Sequence, residues 1–443
     1  MNDSTTARAP GPLTRLLGRV ADVEPDEVGA VVTAFLLFFC VLGGYFMVRP
    51  VRETVGTILG ADRVADLFLF TWVASIAIVP IYGALCARFR RSTFLPWIYG
   101  FVAFSLVGVG LMLRPTGPNV IASQFFFVFL SVLNLFVVSV FWSFLLELFN
   151  PNQTKRLFGV IAAGGTAGAL AGPMATDVLV GFVGYEGILF FGAGGFFLAI
   201  IFQRLLIRVR NRTHWGTPES ERMEERPIGG NPFAGFTLIL RSPYLAGIAL
   251  FVILLASVNT FLYFEQLRVV EATFTDVTQR TRVFSRLDYT VQTLTIISQF
   301  VLTGRIAKKF GIGMLLTAVP ILMFTGFLLL AAYGTFAMLA AVMITRRVGE
   351  YAFVRPGREM LYSRVDTESK YKAKMTNDVP VYRGGDAISA QVDKGLAASG
   401  WSASAVALLA AAVTIVWAIV GYLLGRARKD EEERASAQAA ATA

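Results

Sequence analysis

One charged pattern, V-R-P-x-R-E, occurs twice in the sequence, each time within or at the end of an apolar run. Residues 45–56 read YFMVRPVRETVG, and residues 351–362 read YAFVRPGREMLY. An ionisable residue inside a bilayer costs about 3 kcal/mol on insertion scales, so it is expected to face a cavity or a partner. Guanidinium groups suit phosphate and carboxylate because their planar fork donates two hydrogen bonds at once. The repeated pattern therefore predicts a binding or gating site for an anion.

Three groups of charged residues fall within predicted membrane spans, and they supply the candidate site. The expected anion-binding residues all carry a guanidinium group and are Arg49, Arg52, Arg346, Arg347, Arg355, Arg358 and Arg383. The expected gating ion pairs draw on Glu53, Glu350, Glu359, Asp386, Asp393 and Lys394.

The spacing of these residues suggests how they pair. Glu350 can reach Arg346 or Arg347 on the same helix. Glu53 and Glu359 are expected to pair with the neighbouring arginines while no solute is bound. In the alternative interpretation, the ion pairs only hold helices together.

Composition places the chain in a membrane. Of its 443 residues, 55% are hydrophobic and only 16% are charged, whereas soluble domains are about a quarter charged. A helix needs about 20 apolar residues to cross a bilayer. By that measure we expect twelve spans, near residues 28–57, 64–86, 93–113, 120–148, 157–180, 186–207, 243–268, 286–304, 312–333, 335–362, 376–399 and 402–425.

The loop charges predict the orientation. Of the 40 Lys and Arg residues, 26 fall in segments on one side of the predicted spans and 6 on the other. Cytoplasmic loops carry the excess of basic residues, so both termini are expected in the cytoplasm and the protein in a bacterial inner membrane. The predicted divisions are a cytoplasmic N-terminus (1–27), a six-helix half (28–207), a cytoplasmic linker (208–242), a second six-helix half (243–425) and a cytoplasmic tail (426–443).

Several function classes are excluded on the same grounds. The net charge of +10 needs no nucleic-acid partner, because cytoplasmic loops of membrane proteins are basic. His214 is the one histidine, with no second His and no Cys near it, so we expect no metal. The sequence offers no nucleophile–base set and no Walker loop, so we expect no catalytic residues, no cofactor and no enzyme. The expected partners are the lipid bilayer and a small anionic solute, and the expected state is a monomer.

Internal repeats point to duplicated halves. GALCARFRR (83–91) and GRIAKKFG (304–311) occupy corresponding loops of the two halves, a feature of transporter architectures. The fifth span carries a strip of small residues at Gly164, Gly168 and Gly172, which lets another helix approach closely. The expected fold is an all-α integral membrane protein with twelve transmembrane helices in two halves.

Three longer stretches carry a family resemblance. GYFMVRPVRETVG, FWSFLLELFNPNQTKRLFGVIAAGGTAGALAGP (141–173) and REMLYSRVDTESKYKAKMTNDVPVYRGGDA (358–387) resemble the ATP:ADP antiporter family. That family comprises nucleotide exchangers of plastids and intracellular bacteria, and many bacterial relatives. The resemblance implies a major-facilitator-like fold with twelve helices. It also implies nucleotide exchange, with cavity-lining basic residues at Arg49, Arg52 and around Arg383.

These observations together favour a secondary transporter that works by alternating access. The expected solute is an ATP- or ADP-like nucleotide or a related anion. Exchange is favoured because an empty cavity with net positive charge is costly to close. The first and tenth spans run antiparallel, so the two V-R-P-x-R-E patterns are expected near opposite mouths of one cavity. The alternatives are a major-facilitator-type transporter of another organic anion or of a proton-coupled solute, and a non-transporting membrane scaffold or sensor.

Overall fold

The computed structural model describes residues 23–89, 91–114, 119–213, 234–365 and 367–442. Within these ranges every regular element is a helix, so the predicted all-α fold class is confirmed. The first part of the chain forms α1 (Val28–Leu59), α2 (Ala61–Arg88), α3 (Arg91–Leu113), α4 (Val120–Leu148) and α5 (Pro151–Thr213). Most of the predicted N-terminal segment, residues 1–22, lies outside the described residues. So does the centre of the predicted linker, residues 214–233, which includes His214.

Helix α5 is 63 residues long and is interrupted once, at Gly184. The φ angle of Gly184 is 72°, in the left-handed region that glycine adopts without a steric penalty. Each arm of α5 exceeds the roughly 20 residues that cross a bilayer. The break falls between the fifth and sixth predicted spans.

The second part of the chain contains nine α-helices and three π-helical segments among its described residues. The α-helices are α6 (Ala234–Arg241), α7 (Pro243–Thr273), α8 (Val277–Ser298), α9 (Gly304–Tyr333), α10 (Phe336–Gly349), α11 (Arg355–Leu361), α12 (Thr367–Thr376), α13 (Tyr382–Ala398) and α14 (Ala403–Thr442). The π-helical segments join consecutive helices and are π1 (Gln299–Thr303), π2 (Glu350–Val354) and π3 (Asn377–Val381).

Local sequence explains where two of these helices begin. Ser242 precedes Pro243, and its hydroxyl accepts a hydrogen bond from the Leu245 amide, so it caps α7. The Asp276 carboxylate accepts from the amides of Thr278 and Gln279 and caps α8. Capping side chains satisfy amides that the first helical turn leaves without partners.

Eight helical stretches of the described chain are long and apolar enough to cross a membrane. They are Val28–Leu59, Ala61–Ile81, Ser92–Leu113, Val120–Leu148, Asn152–Asn211, Pro243–Thr273, Gly311–Tyr333 and Ala403–Asp430. The predicted eighth, tenth and eleventh spans are helical as well, but they carry charged residues and are less apolar. The charged residues of the tenth and eleventh spans belong to the candidate site. The chain is therefore an integral membrane protein, and the count of twelve spans stays a prediction.

Contacts group the chain into two compact units. Unit 1 draws on Met1–Val51, Ala84–Gly117 and Leu133–Ile228, and unit 2 on Arg52–Gly83, Pro118–Val132 and Gly229–Ala443. Unit 1 packs through stacked rings such as Phe38 on Phe141, whose centroids are 3.9 Å apart. Unit 2 has its core between α7, α9, α10 and α14, where Trp417 is fully buried against Phe251. The predicted division into six-helix halves stays a prediction.

Candidate functional site

The charged helices of unit 2 owe part of their shape to the π segments. A π turn leaves backbone carbonyls out of the regular α ladder, and such turns are frequent at functional sites. Side chains from other helices bond to these carbonyls. Thr303 Oγ1 donates to the Ala352 carbonyl over 2.8 Å in π2, and Trp72 Nε1 donates to the Pro380 carbonyl over 3.0 Å in π3. The widened turns are thus held by specific bonds, and they position the charged residues that follow.

Two of the predicted arginines meet at Ser131 on α4. Arg52 Nη1 donates to the Ser131 hydroxyl over 3.0 Å, and Arg383 Nη2 donates to the Ser131 carbonyl over 3.2 Å. Arg52 also pairs with the carboxylate of Glu53, and its guanidinium carbon lies 5.3 Å from the centre of the Phe127 ring. The structure therefore brings guanidinium groups from α1 and α13 to one residue.

Asp386 is the carboxylate partner of Arg383. Arg383 Nη1 lies 3.4 Å from Asp386 Oδ2, and the Thr260 hydroxyl donates to Asp386 Oδ1 over 3.1 Å. The side chain of Asp386 is buried. A buried charge is stable only when it is paired and hydrogen-bonded, and Arg383 and Thr260 together meet that requirement.

The neighbouring residues Asn259 on α7 and Tyr382 on α13 connect this pair to a second one. Arg346 Nη1 donates to Glu350 Oε2 over 3.0 Å and also to the side-chain oxygen Oδ1 of Asn259. Asn259 Nδ2 donates to the Tyr382 hydroxyl over 2.9 Å. Arg355 Nε lies 3.8 Å from the other oxygen of Glu350. The pairing of Glu350 with Arg346 agrees with its predicted geometry.

We call this connected set the arginine network. It comprises Arg52, Glu53, Ser131, Asn259, Thr260, Arg346, Glu350, Arg355, Tyr382, Arg383 and Asp386.

The charge of the arginine network suits an anion. It holds four arginines and three carboxylates, so its formal charge is one positive. The Nε atoms of Arg346 and Arg383 are buried and bond to no atom among the described residues. A buried donor without an acceptor is costly, so an anion that accepts from these two atoms would be stabilised there.

Other predicted site residues lie in separate pairs of unit 2. Arg347 pairs with Asp288 on α8 over 2.7 Å. Arg358 pairs with Asp378 over 2.9 Å. Glu359 was expected to pair with the neighbouring arginines while no solute is bound, and that expectation stays a prediction. In this structure its carboxylate accepts a hydrogen bond from Lys374 on α12 over 2.6 Å.

The last two of the predicted gating residues lie at the other end of α13. Asp393 pairs with Arg268 on α7, and the Lys394 ammonium lies 2.7 Å from the Asp66 carboxylate on α2. One turn earlier, Gln391 Nε2 donates to the Ala65 carbonyl over 3.0 Å. These contacts join α2 and α13 within unit 2.

Unit 1 holds the remaining predicted residues. The guanidinium carbon of Arg49 lies 5.9 Å from the centre of the Phe46 ring. The glycine strip on α5 lies directly against α1. A Cβ added to Gly168 would lie 2.8 Å from the Gly43 nitrogen, and one added to Gly172 would lie 2.6 Å from the Gly43 oxygen. The two backbones are thus too close for any side chain at these positions.

Sequence reasoning missed the four neutral members of the arginine network, which are Ser131, Asn259, Thr260 and Tyr382. It also missed the partners Asp66, Asp288 and Arg268. The signal available was the isolated polar residue in an apolar span, as in FFFVFLSVLN and ILLASVNTFLYF. No group of three or more His, Cys, Asp or Glu side chains in the described chain is placed to hold a metal ion.

Comparison with known proteins identifies relatives over almost the whole chain. ADP,ATP carrier protein 1 of Chlamydia muridarum (strain MoPn / Nigg) is 23% identical over 512 residues, covering 98% of this chain and 96% of the relative. ADP,ATP carrier protein 1 of Chlamydia trachomatis serovar D is 22% identical over 457 residues, covering 88% and 86%. These relatives confirm the predicted resemblance to the ATP:ADP antiporter family.

Solved structures show the fold. The nucleoside transporter NupG aligns with a TM-score of 0.64 and 15% identity, covering 90% of this chain and 98% of that one. A bacterial homologue of the iron transporter ferroportin, in its inward-facing state, aligns with a TM-score of 0.62 and 14% identity, covering 88% and 98%. Residues 26–357, three quarters of the chain, match the Major Facilitator Superfamily. This chain is a transporter and belongs to the Major Facilitator Superfamily.

Proposed function

We propose that this transporter exchanges nucleotides of the ATP and ADP type, or a closely related anionic solute, by alternating access. The observation that carries the proposal is the arginine network, where four guanidinium groups on α1, α10, α11 and α13 share three carboxylates. Phosphate groups accept two hydrogen bonds from one guanidinium plane. The buried Nε atoms of Arg346 and Arg383 supply donors in addition to those already bonded.

The carboxylates give the site a way to release its solute. Glu53, Glu350 and Asp386 each hold an arginine that an arriving phosphate would take over. When the solute leaves, the carboxylates pair with the arginines again and limit the cost of an uncompensated buried charge. One arginine stays in excess of the three carboxylates, so the empty site is still costlier to close than the anion-bound site, and this favours exchange.

The names of the relatives favour a nucleotide over other organic anions. The chlamydial relatives are named ADP,ATP carrier proteins, and they cover most of this chain. The proposed location is the bacterial inner membrane with both termini in the cytoplasm, as the distribution of basic loop residues predicts.

The test is exchange in proteoliposomes. Purified protein is reconstituted into vesicles preloaded with ATP, ADP, inorganic phosphate or buffer, and uptake of labelled ATP and ADP is followed. We expect uptake only into vesicles preloaded with a nucleotide. If exchange responds to inorganic phosphate or to an organic anion, and to no nucleotide, that anion would be the solute and the nucleotide assignment would be wrong. Absence of counterflow with every anion would refute exchange.

Two variants connect the transport to the arginine network. Breaking a buried, hydrogen-bonded charge pair costs about 2–5 kcal/mol, so Arg52→Gln and Arg383→Gln should each lower the exchange rate at least roughly 30-fold. The matched control is Arg426→Gln, which changes an exposed arginine in α14 and should leave exchange unchanged. Wild-type exchange rates in Arg52→Gln and Arg383→Gln would show that these arginines have a purely structural role.

A further inference from the structure

Unit 2 contains an apolar cavity that the proposed transport site does not use. Its volume is about 400 Å³, and it lies between α8, α9 and α10. The wall residues are mainly aliphatic and include Leu294, Ile306, Leu322, Val348 and Phe353. Cavities that bind small molecules are typically about 300–1,000 Å³ and mostly apolar, so this one is large enough for a ligand of low polarity.

The cavity lies where two π segments meet. Gln299 Nε2 at the start of π1 donates to the Tyr351 carbonyl of π2 over 3.3 Å. Thr303 Oγ1 at the end of π1 donates to the next carbonyl, that of Ala352. Each π turn widens its helix, and these bonds hold the widened turns together at one level. The cavity is therefore part of the helical framework and does not depend on a mobile loop.

The cavity opens onto an apolar outer surface. Leu294, Met314 and Leu322 line the cavity and are also exposed, by 40%, 42% and 53%. Phe300 in π1 is 89% exposed. Large exposed apolar side chains of a membrane-spanning chain face lipid, since contact of an apolar surface with water is unfavourable. The mouth of the cavity therefore faces the hydrocarbon region.

A basic turn lies beside this mouth. Arg305, Lys308 and Lys309 are exposed. Arg305 directly precedes the cavity residue Ile306, and Lys308 and Lys309 lie between Ile306 and the next cavity residue, Met314. Gly311, with φ of 75°, breaks α9 just after the three basic residues. An apolar cavity beside a cluster of cations matches a molecule with an apolar chain and an anionic head. Basic pockets between transmembrane helices bind anionic lipid headgroups.

We propose that this cavity binds one acyl chain of an anionic phospholipid, whose phosphate headgroup contacts Arg305 and Lys308. The acyl chain fills the space between α8, α9 and α10, and the headgroup remains at the level of the basic turn. The charge of the turn selects anionic over zwitterionic lipids. This inference concerns a surface separate from the arginine network and is independent of the transported solute.

Native mass spectrometry of the full chain in detergent tests the proposal. The purified protein is titrated with phosphatidylglycerol or with phosphatidylcholine of the same acyl chains. We expect phosphatidylglycerol to bind at least about fivefold more tightly, since each nearby basic residue contributes about 1 kcal/mol at an anionic surface. Equal binding of the two lipids would overturn the proposal.

Two sets of variants separate the headgroup from the acyl chain. Arg305→Gln/Lys308→Gln changes exposed side chains only. It should lower the affinity for phosphatidylglycerol roughly tenfold, while the affinity for phosphatidylcholine stays the same. The matched control, Arg426→Gln/Lys429→Gln, removes two exposed charges from α14 and should bind like the wild type. A preference for phosphatidylglycerol that survives Arg305→Gln/Lys308→Gln would contradict the assigned headgroup position.

Ala318→Phe fills the cavity from α9, because Ala318 is one of its lining residues. It should weaken the binding of both lipids while the thermal unfolding temperature in detergent stays near that of the wild type. Unchanged binding of both lipids by folded Ala318→Phe would place the acyl chain elsewhere. If Ala318→Phe does not fold, the double glutamine variant alone decides the proposal.

Discussion

At the scale of single residues, Ser131 shows how a neutral side chain can organise charged ones. Its hydroxyl accepts from Arg52 and its backbone carbonyl accepts from Arg383, so one residue orients two guanidinium groups that come from different helices. The hydroxyl in turn donates to the Phe127 carbonyl over 2.7 Å, which fixes its rotamer. The Arg383 contact uses the backbone and survives any substitution, whereas the Arg52 contact needs the hydroxyl.

Ser131→Ala should therefore loosen Arg52 alone. A hydrogen bond to a charged group contributes about 1.5–3 kcal/mol, so the KM for the exchanged solute should rise roughly tenfold, with a smaller change in the maximal rate. The measurement is exchange at varied external solute in proteoliposomes. The matched control is Ser123→Ala, which removes a buried hydroxyl without a bonding partner in the described chain, two turns earlier on α4. Equal KM values in the two variants would show that Ser131 does not orient a binding residue.

Residue type explains why the sequence predicted the seven charged members of the arginine network and missed its neutral members. Arginine in an apolar span is costly, so Arg52, Arg346 and Arg383 stood out by type alone. Neutral polar residues such as serine, asparagine and threonine cost less free energy in an apolar span than a charged residue does. Ser131, Asn259 and Thr260 therefore did not stand out. The pairing of Glu359 with Lys374 was equally hidden, since the choice between Lys374 and the arginines depends on how α11 and α12 pack.

At the scale of elements, the glycine strip of α5 and the π segments show two limits of prediction. The G-x-x-x-G-x-x-x-G spacing predicts a bare face and hence a close helix neighbour. It does not identify that neighbour, which the structure shows to be α1 within unit 1. The three π segments were not predicted, because a π turn shares the composition of an α-helix and depends on bonds from other helices, such as the one from Trp72 to Pro380.

Gly168→Ala should destabilise unit 1. A Cβ at this position would lie 2.8 Å from the Gly43 nitrogen and still closer to the Phe39 carbonyl, so α1 and α5 must separate. Overpacking typically costs about 1–3 kcal/mol, and we expect a lower thermal unfolding temperature in detergent. The control on the same helix is Gly159→Ala, where the added Cβ meets nothing within 4 Å. It should be neutral or slightly stabilising, because alanine favours the helix by up to about 1 kcal/mol. A melting temperature of Gly168→Ala at or above that of Gly159→Ala would contradict the close approach.

At the scale of the whole molecule, unit 2 combines segments from both predicted halves of the chain. It contains the end of α1, the first part of α2 and the start of α4 together with the helices from α6 to α14. Their contacts are polar and specific. Lys394 bonds to Asp66, Thr54 shares a 2.8 Å hydrogen bond with Thr281, and Arg280 donates to Thr57 over 3.1 Å. In the proposed alternating access cycle, these contacts join segments of the two predicted halves. They must therefore break when the transporter opens on the side where they lie.

The pair of Asp66 and Lys394 is the most accessible of these contacts to a test. Both side chains are partly exposed, by 49% and 34%, and such pairs contribute at most about 1 kcal/mol. Removing the pair should therefore shift the conformational equilibrium by up to about fivefold without unfolding the protein. A suitable reporter is a cysteine at Thr54, which is fully buried beside Thr281, in a background where Cys40 and Cys86 are replaced by alanine.

In intact cells, an impermeant thiol reagent should label Thr54→Cys slowly, and Asp66→Lys should speed the labelling by roughly twofold to fivefold. Lys394→Asp should do the same, and the exchanged pair Asp66→Lys/Lys394→Asp should return the rate to that of Thr54→Cys alone, because the opposite charges face each other again. The control Glu271→Gln changes an exposed carboxylate at the end of α7 and should leave the rate unchanged. Labelling that stays fast in the exchanged pair would mean that the single variants act by local loosening. The contact between α2 and α13 would then have no part in closing that side of the transporter.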